Sequence, residues 1–234
     1  MDAPVLLSPE RVDPKSTAIL VVDVQNDFCA PGGWFDRSGS ELGLIQASVD
    51  RLLVFLEAAR SIGLNPIFIR AIYDEIYLSA PMLERHRRTG LSTEHCQSGT
   101  WGADFYKVAP RDSEVVVIKH RYSAFMDTEL STLLRVQRIE NVIMTGVTSN
   151  VCVESTARDA YMLDHHVVFV SDCTATYEES AHLATLANIE RAFGIVVEAA
   201  DVVDAWNRGG FEVSTEGRGL RSGPDGTVSE VAGA

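Results

Sequence analysis

Asp23, Lys119 and Cys152 are the three side chains of this sequence whose types and positions fit a single piece of chemistry. Each stands at or just beyond the end of a short apolar run. Ala18-Ile-Leu-Val-Val leads into Asp23, Val115-Val-Val-Ile into Lys119, and Val142-Ile-Met precedes Cys152 by a turn. Continuous apolar runs of this length are the mark of strands buried on both faces, as in parallel sheets. A carboxylate ending such a strand is costly unless it is paired or functional, and that edge is where open parallel sheets bind ligands. The three types complement one another. A thiolate is a nucleophile, a nearby ammonium stabilises it, and a carboxylate within reach can take the thiol proton and return it to a leaving amine. No histidine occupies a comparable strand end, so a cysteine–histidine pair is not the natural reading. Taken singly, each residue also has a plain structural role, as a turn cap, a solvated strand end and a small core residue. The convergence of all three carries the argument.

The stretch around Cys152 adds to it. Thr145-Gly-Val-Thr-Ser-Asn150 reads as a turn, and Val151 to Tyr161 as a helix with Cys152 in its first turn. Free backbone N–H groups and the positive end of the helix dipole meet there. They are expected to lower a thiol pKa and to offer donors to an oxyanion.

The elements that must position these residues alternate. Thr17 to Val24 and Pro66 to Arg70 read as strands, joined by an amphipathic helix from Leu42 to Ile62 that ends at Gly63. Further strands follow at 114–119, 142–144, 167–172 and 195–197, with helices at 128–138, 182–193 and 200–206 between and after them. Strands alternating with helices predict an α/β fold, a parallel sheet sandwiched between helical layers. Residues 71–110 break the pattern and are expected to form a long lid-like insertion. The glycine-rich stretch after Arg208 is expected to be a flexible tail, which leaves a single domain over 1–207.

Composition sets outer bounds. A hydrophobic fraction of 46% and a charged fraction of 23% are those of a globular chain with a full core. A net charge of −13 speaks against nucleic acid or an anionic membrane as partner, because both need a basic surface. No apolar run approaches the ~18 residues of a membrane span. Four cysteines without a CxxC pair, and an opening Met-Asp-Ala-Pro without signal-peptide character, point to free thiols in the cytoplasm.

Three motifs together resemble the isochorismatase-like cysteine hydrolase superfamily. Ile19-Leu-Val-Val-Asp-Val-Gln-Asn-Asp-Phe is similar to its first-strand motif, whose aspartate is a general base. Lys119-His-Arg-Tyr-Ser-Ala-Phe resembles its catalytic lysine motif, and Thr145-Gly-Val-Thr-Ser-Asn-Val-Cys-Val-Glu-Ser-Thr-Ala-Arg-Asp its nucleophile motif. The resemblance runs from about Ala18 to Trp206. It implies a three-layer α/β/α sandwich around a six-stranded parallel sheet of Rossmann-like topology. It also implies a cis peptide between Val147 and Thr148, with the Thr148 and Cys152 N–H groups serving the oxyanion. Within the superfamily, the cysteine favours the amidohydrolases over the isochorismatases that cleave a vinyl ether. Metal-dependent nicotinamidases carry an aspartate and histidines after the second strand. Here that segment is Arg70-Ala-Ile-Tyr-Asp-Glu-Ile-Tyr, and Asp74 and Glu75 lack imidazole partners, so no metal or other cofactor is expected.

Pro31-Gly-Gly-Trp, the Lys119 motif with Tyr122, and Tyr73-Asp-Glu-Ile-Tyr are most similar to ureidoacrylate amidohydrolases, with biuret and N-carbamoylsarcosine amidohydrolases next. One departure stands out: Ala71 replaces an asparagine of that branch. The resemblance implies thioester chemistry on a small ureido, carbamoyl or amide substrate that releases ammonia, in a homodimer or homotetramer. Arg121 and Tyr122 are expected to meet a substrate carboxylate or carbonyl, with Trp34, Phe35 and Tyr73 walling the pocket. His86 and His95 receive no role. Two other readings stay open, a non-catalytic binding subunit on the same fold and a redox protein in which Cys29 or Cys173 resolves Cys152.

Overall fold

The structure is a computed structural model that describes residues 7–90 and 94–211. Its centre is a six-stranded, all-parallel sheet in the order β3-β2-β1-β4-β5-β6. The strands are β1 (Thr17–Val22), β2 (Ile67–Ala71), β3 (Val116–Lys119), β4 (Asn141–Val147), β5 (His166–Ala175) and β6 (Ile195–Val197). The helices are α1 (Asn26–Cys29), α2 (Trp34–Arg37), α3 (Gly43–Ser61), α4 (Ala80–Thr89), α5 (Leu130–Val136), α6 (Glu154–Met162), α7 (Glu179–Ala192) and α8 (Ala199–Arg208).

The two-residue period of a strand sorts the apolar side chains of β1 onto two faces. Ile19 and Val21 join one core with α3 and α8, and Ala18, Leu20 and Val22 join the other with α5, α6 and α7. Ile45, Val49, Leu52, Leu56 and Ala59 recur at three- and four-residue intervals, which puts them on the one face of α3 that is buried. On the same side Trp206 of α8 stacks on Phe55 at 5.4 Å and donates its Nε1–H to the Val12 carbonyl at 2.8 Å. The three-layer α/β/α arrangement is therefore the one expected.

The strand order adds what sequence could not. The chain builds outward from β1 through β2 to β3, then returns to the other side of β1 with β4. The order reverses between β1 and β4, and the crevice at their carboxyl ends is where folds of this type take ligands. Asp23 follows β1, and Cys152 follows β4.

Two local expectations need correction. β5 runs on to Ala175, because a register shift between Met144 and Gly146 lets it pair again through Thr174 and Ala175. Cys152 does not lie in the first turn of an α-helix. Ser149–Val153 forms a π-helical turn, and α6 begins only at Glu154. Where it is described, the 71–110 segment holds α4 and short 3₁₀ turns at Glu75–Tyr77 and Trp101–Ala103. Residues 208–211 close α8 and the turn after it, and the rest of the expected tail lies outside the described residues.

Candidate active site

Asp23 takes a left-handed backbone conformation, φ 52°, at the first position past β1, a turn that aspartate tolerates better than most side chains. Its N–H donates to the Ile69 carbonyl at 3.0 Å, which keeps the residue tied to β2. Lys119, the last residue of β3, reaches across to it. The Nζ–Oδ2 distance is 2.7 Å, with both side chains fully buried. The ammonium also donates to the Arg121 carbonyl at 3.0 Å. Cys152, 4% exposed, completes the group, close enough to Asp23 and Lys119 for both charges to act on its thiol. The structure thus brings together the three residues that sequence singled out from three different strand ends.

The turn that carries Cys152 is fixed from both sides. The peptide between Val147 and Thr148 is cis, as the resemblance implies. The Thr156 hydroxyl donates to the Cys152 carbonyl at 2.7 Å and accepts from the Ala124 N–H at 3.0 Å. The Ser-Ala-Phe end of the lysine motif is thereby locked to the Cys152 turn. Ser149 is buried, and its hydroxyl is 3.0 Å from Nδ1 of His182 on α7.

Three consecutive residues after β1 pull the long segment over the site. The Gln25 carboxamide donates to the carbonyls of Ala71 and Ala103 and accepts from the Ala71 N–H, all within 2.8–3.0 Å. Asn26 donates to the Trp101 carbonyl at 2.8 Å. The buried carboxylate of Asp27 accepts from the N–H groups of Trp34 and Cys96 at 2.9 and 2.7 Å. Gly102 packs so closely on Asp27 that an added Cβ would fall 2.1 Å from Oδ2.

The result is a cavity of about 190 Å³ reaching Cys152 and Thr148. Trp34, Phe35, Tyr73 and Tyr122 line it. Arg121 does not. Its guanidinium turns away to the carbonyls of Tyr77 and His120, at 2.9 and 2.7 Å, so the carboxylate-binding role expected for it is not supported. The wall also holds residues that sequence reasoning passed over, among them Phe28, Arg85, His86, His95, Asn150 and Tyr177. Phe35 stacks on Tyr177 at 4.8 Å, and the His95 ring lies 5.0 Å from Tyr73 and 5.9 Å from His86. The available signal for α4 was a Pro near its start and Gly90 after its end. His86 is the one buried side chain of that otherwise charged helix. Among the described residues no three His, Cys, Asp or Glu side chains are grouped as a metal site. Asp74 is taken up by the N–H and hydroxyl of Ser98.

The electrostatics correct one expectation. Burial pushes the Cys152 thiol up to about 12, with the Asp23 carboxylate adding to the rise and Lys119 opposing it. Desolvation and a neighbouring anion outweigh whatever the turn supplies, so the resting side chain is a thiol. Burial also raises Asp23 above the ordinary carboxylate value, which makes it a stronger base. Lys119 is held above the usual lysine range by Asp23 against its own desolvation. Alkylation of Cys152 by iodoacetamide is accordingly expected to be slow near neutrality and to keep accelerating beyond pH 9. Mass spectrometry of the modified peptide checks this, and a rate that levels off below pH 8 would contradict it.

Comparison with known proteins agrees with this geometry. Residues 17–201 match the model of the isochorismatase domain. The chain is 33% identical over 213 residues to the ureidoacrylate amidohydrolase RutB of Pantoea ananatis, covering 84% of this chain and 85% of that protein. It is 32% identical to RutB of Methylobacterium radiotolerans over 206 residues, 82% of this chain and 80% of the relative. A cysteine hydrolase from Pseudomonas syringae pv. phaseolicola superposes with a TM-score of 0.77 at 25% identity, over 89% of this chain and 99% of that one. The chain belongs to the isochorismatase family, among its amidohydrolases, hydrolases of carbon–nitrogen bonds other than peptide bonds. Among the described residues no helix is long and apolar enough to cross a membrane.

Proposed function

We propose that the protein is a cysteine amidohydrolase that cleaves a small ureido, carbamoyl or amide substrate through a thioester on Cys152, with a ureidoacrylate-like molecule as the favoured substrate. The observation that carries this reading is the buried 2.7 Å pair of Asp23 and Lys119 beside Cys152 at the end of a small cavity. Sγ attacks the substrate carbonyl as Asp23 takes the thiol proton, so the thiolate is generated in the step that uses it. The charge on the carbonyl oxygen falls to the N–H groups of Thr148 and Cys152. Asp23 returns the proton to the departing nitrogen, and ammonia leaves. Water then enters, gives a proton to Asp23 and attacks the thioester, and the proton goes back to Sγ as the acid product departs. Lys119 keeps Asp23 ionised between these transfers. Trp34, Phe35, Tyr73 and Tyr122 hold the substrate in the cavity. Homodimeric or homotetrameric assembly in the cytoplasm is part of this reading, supported for the compartment by four free cysteines.

Ammonia release by purified protein tests the proposal against ureidoacrylate, biuret, N-carbamoyl amino acids, maleamate, nicotinamide and aryl amides. Release from one or more ureido or carbamoyl compounds, abolished by Cys152→Ala, is the expected result. Release that survives the substitution would overturn the thioester, and silence across the panel would overturn the amidohydrolase assignment of this site.

A further inference from the structure

Arg85 stands on the wall of the same cavity as Cys152, half-buried on α4. Among the described residues its guanidinium has no ion pair and no hydrogen bond. Among the described residues no Asp or Glu side chain lines the cavity. The other cation of the site, Lys119, is already neutralised by Asp23 at 2.7 Å. Two further polar groups on the wall lack partners in the same way. Tyr73 is 2% exposed and His86 6%, and neither Oη of the one nor Nδ1 of the other has a hydrogen-bond partner. Buried polar groups are seldom left so. A cavity whose wall carries an unpaired guanidinium and two unsatisfied polar groups, within a chain of net charge −13, is shaped for an anion.

We infer that Arg85 anchors a carboxylate at the end of the substrate remote from the scissile bond, so that the substrates are anionic ureido or carbamoyl acids rather than neutral amides. The inference rests on the amidohydrolase reading above for the scissile end, and assigns the other end. A planar carboxylate fits the guanidinium fork, which a lysine ammonium does not reproduce. His86 and Tyr73 line the same cavity and offer it further hydrogen-bonding groups. Arg121, the other arginine considered for this role, is committed to backbone carbonyls.

Binding to the full chain carrying Cys152→Ala separates the anion site from catalysis. Calorimetry would compare ureidoacrylate with its neutral primary amide at low and high salt. The acid is expected to bind roughly ten-fold or more tightly, with the preference shrinking as salt rises. Arg85→Gln is expected to weaken the acid by about 10- to 100-fold, the usual range for a charged hydrogen bond, and so to collapse the acid-to-amide ratio. Arg85→Lys should recover part of it. Equal losses for acid and amide in Arg85→Gln, no preference for the acid in the parent, or no binding of either would overturn the anchor. The two readings fail separately. Arg85-dependent acid binding without Cys152-dependent ammonia release would sink the amidohydrolase chemistry alone. Cys152-dependent turnover of neutral amides, indifferent to Arg85, would sink the anchor alone.

Discussion

Asp23→Asn is expected to lower kcat/KM for ammonia release by roughly 10³-fold and to destabilise the fold by about 3 kcal/mol. Both effects come from one carboxylate. On the proposed mechanism Asp23 moves every proton in the cycle, and an amide moves none. It is also the counter-ion of an ammonium with no solvent access at all, and removing one partner of such a pair leaves an unpaired buried charge. The Asp23→Asn/Lys119→Met double variant separates the two roles. Without the ammonium no charge is stranded, so most of the lost stability should return while activity does not. Urea denaturation and ammonia release on the same samples provide the check. A double variant less stable than Asp23→Asn, or an Asp23→Asn protein with near-parental activity, would contradict the assignment. The pH dependence has a definite sign. Lys119 titrates higher in the folded than in the unfolded chain. Its contribution to stability is therefore fully present below the ordinary lysine value and is lost as pH rises through the raised one.

Gly146→Ala is the second large effect, expected to cost about 3–5 kcal/mol, from overpacking added to left-handed strain. Gly146 has φ 102°, a region closed to side chains, and an added Cβ would fall 2.1 Å from the Val22 carbonyl oxygen and 2.6 Å from its nitrogen. Val22 is paired with Gly146 in the register of the two central strands, so neither backbone can retreat. Val22 also precedes Asp23, so any movement there shifts the base against the nucleophile, and activity should fall further than stability alone would bring. A thermal melt should show a drop on the order of 10 °C for a domain of this size. Gly43→Ala is the control, because a Cβ there meets nothing within 4 Å and the residue opens a helix where alanine is favoured. A Gly146→Ala protein that melts with the control would show that the sheet relaxes more easily than its register suggests.

What sequence alone determined was the set of strands and the polar residues at the ends of two of them, Asp23 after β1 and Lys119 closing β3. A strand buried on both faces must be apolar along its length, so the interruption at Asp23 or Lys119 is visible in one dimension. Cys152 stood out through its motif, and the parallel α/β class was legible through alternation. Tertiary structure decided the remainder, because it depends on contacts between distant parts of the chain. Gln25 holds Ala71 and Ala103 across 46 and 78 residues, and Asp27 holds Cys96 across 69. Those bonds bring α4 and His95 to the cavity, and no local pattern in a charged ten-residue helix announces that His86 faces inward and Arg85 stays unpaired. The same holds for Arg121, whose motif position suggested the cavity and whose guanidinium is claimed by nearby carbonyls. The thiol makes the point most sharply. Its place near a helix start predicted a lowered pKa, but complete burial beside Asp23 raises it. Desolvation is a property of everything packed around a group, and only the assembled fold sets it.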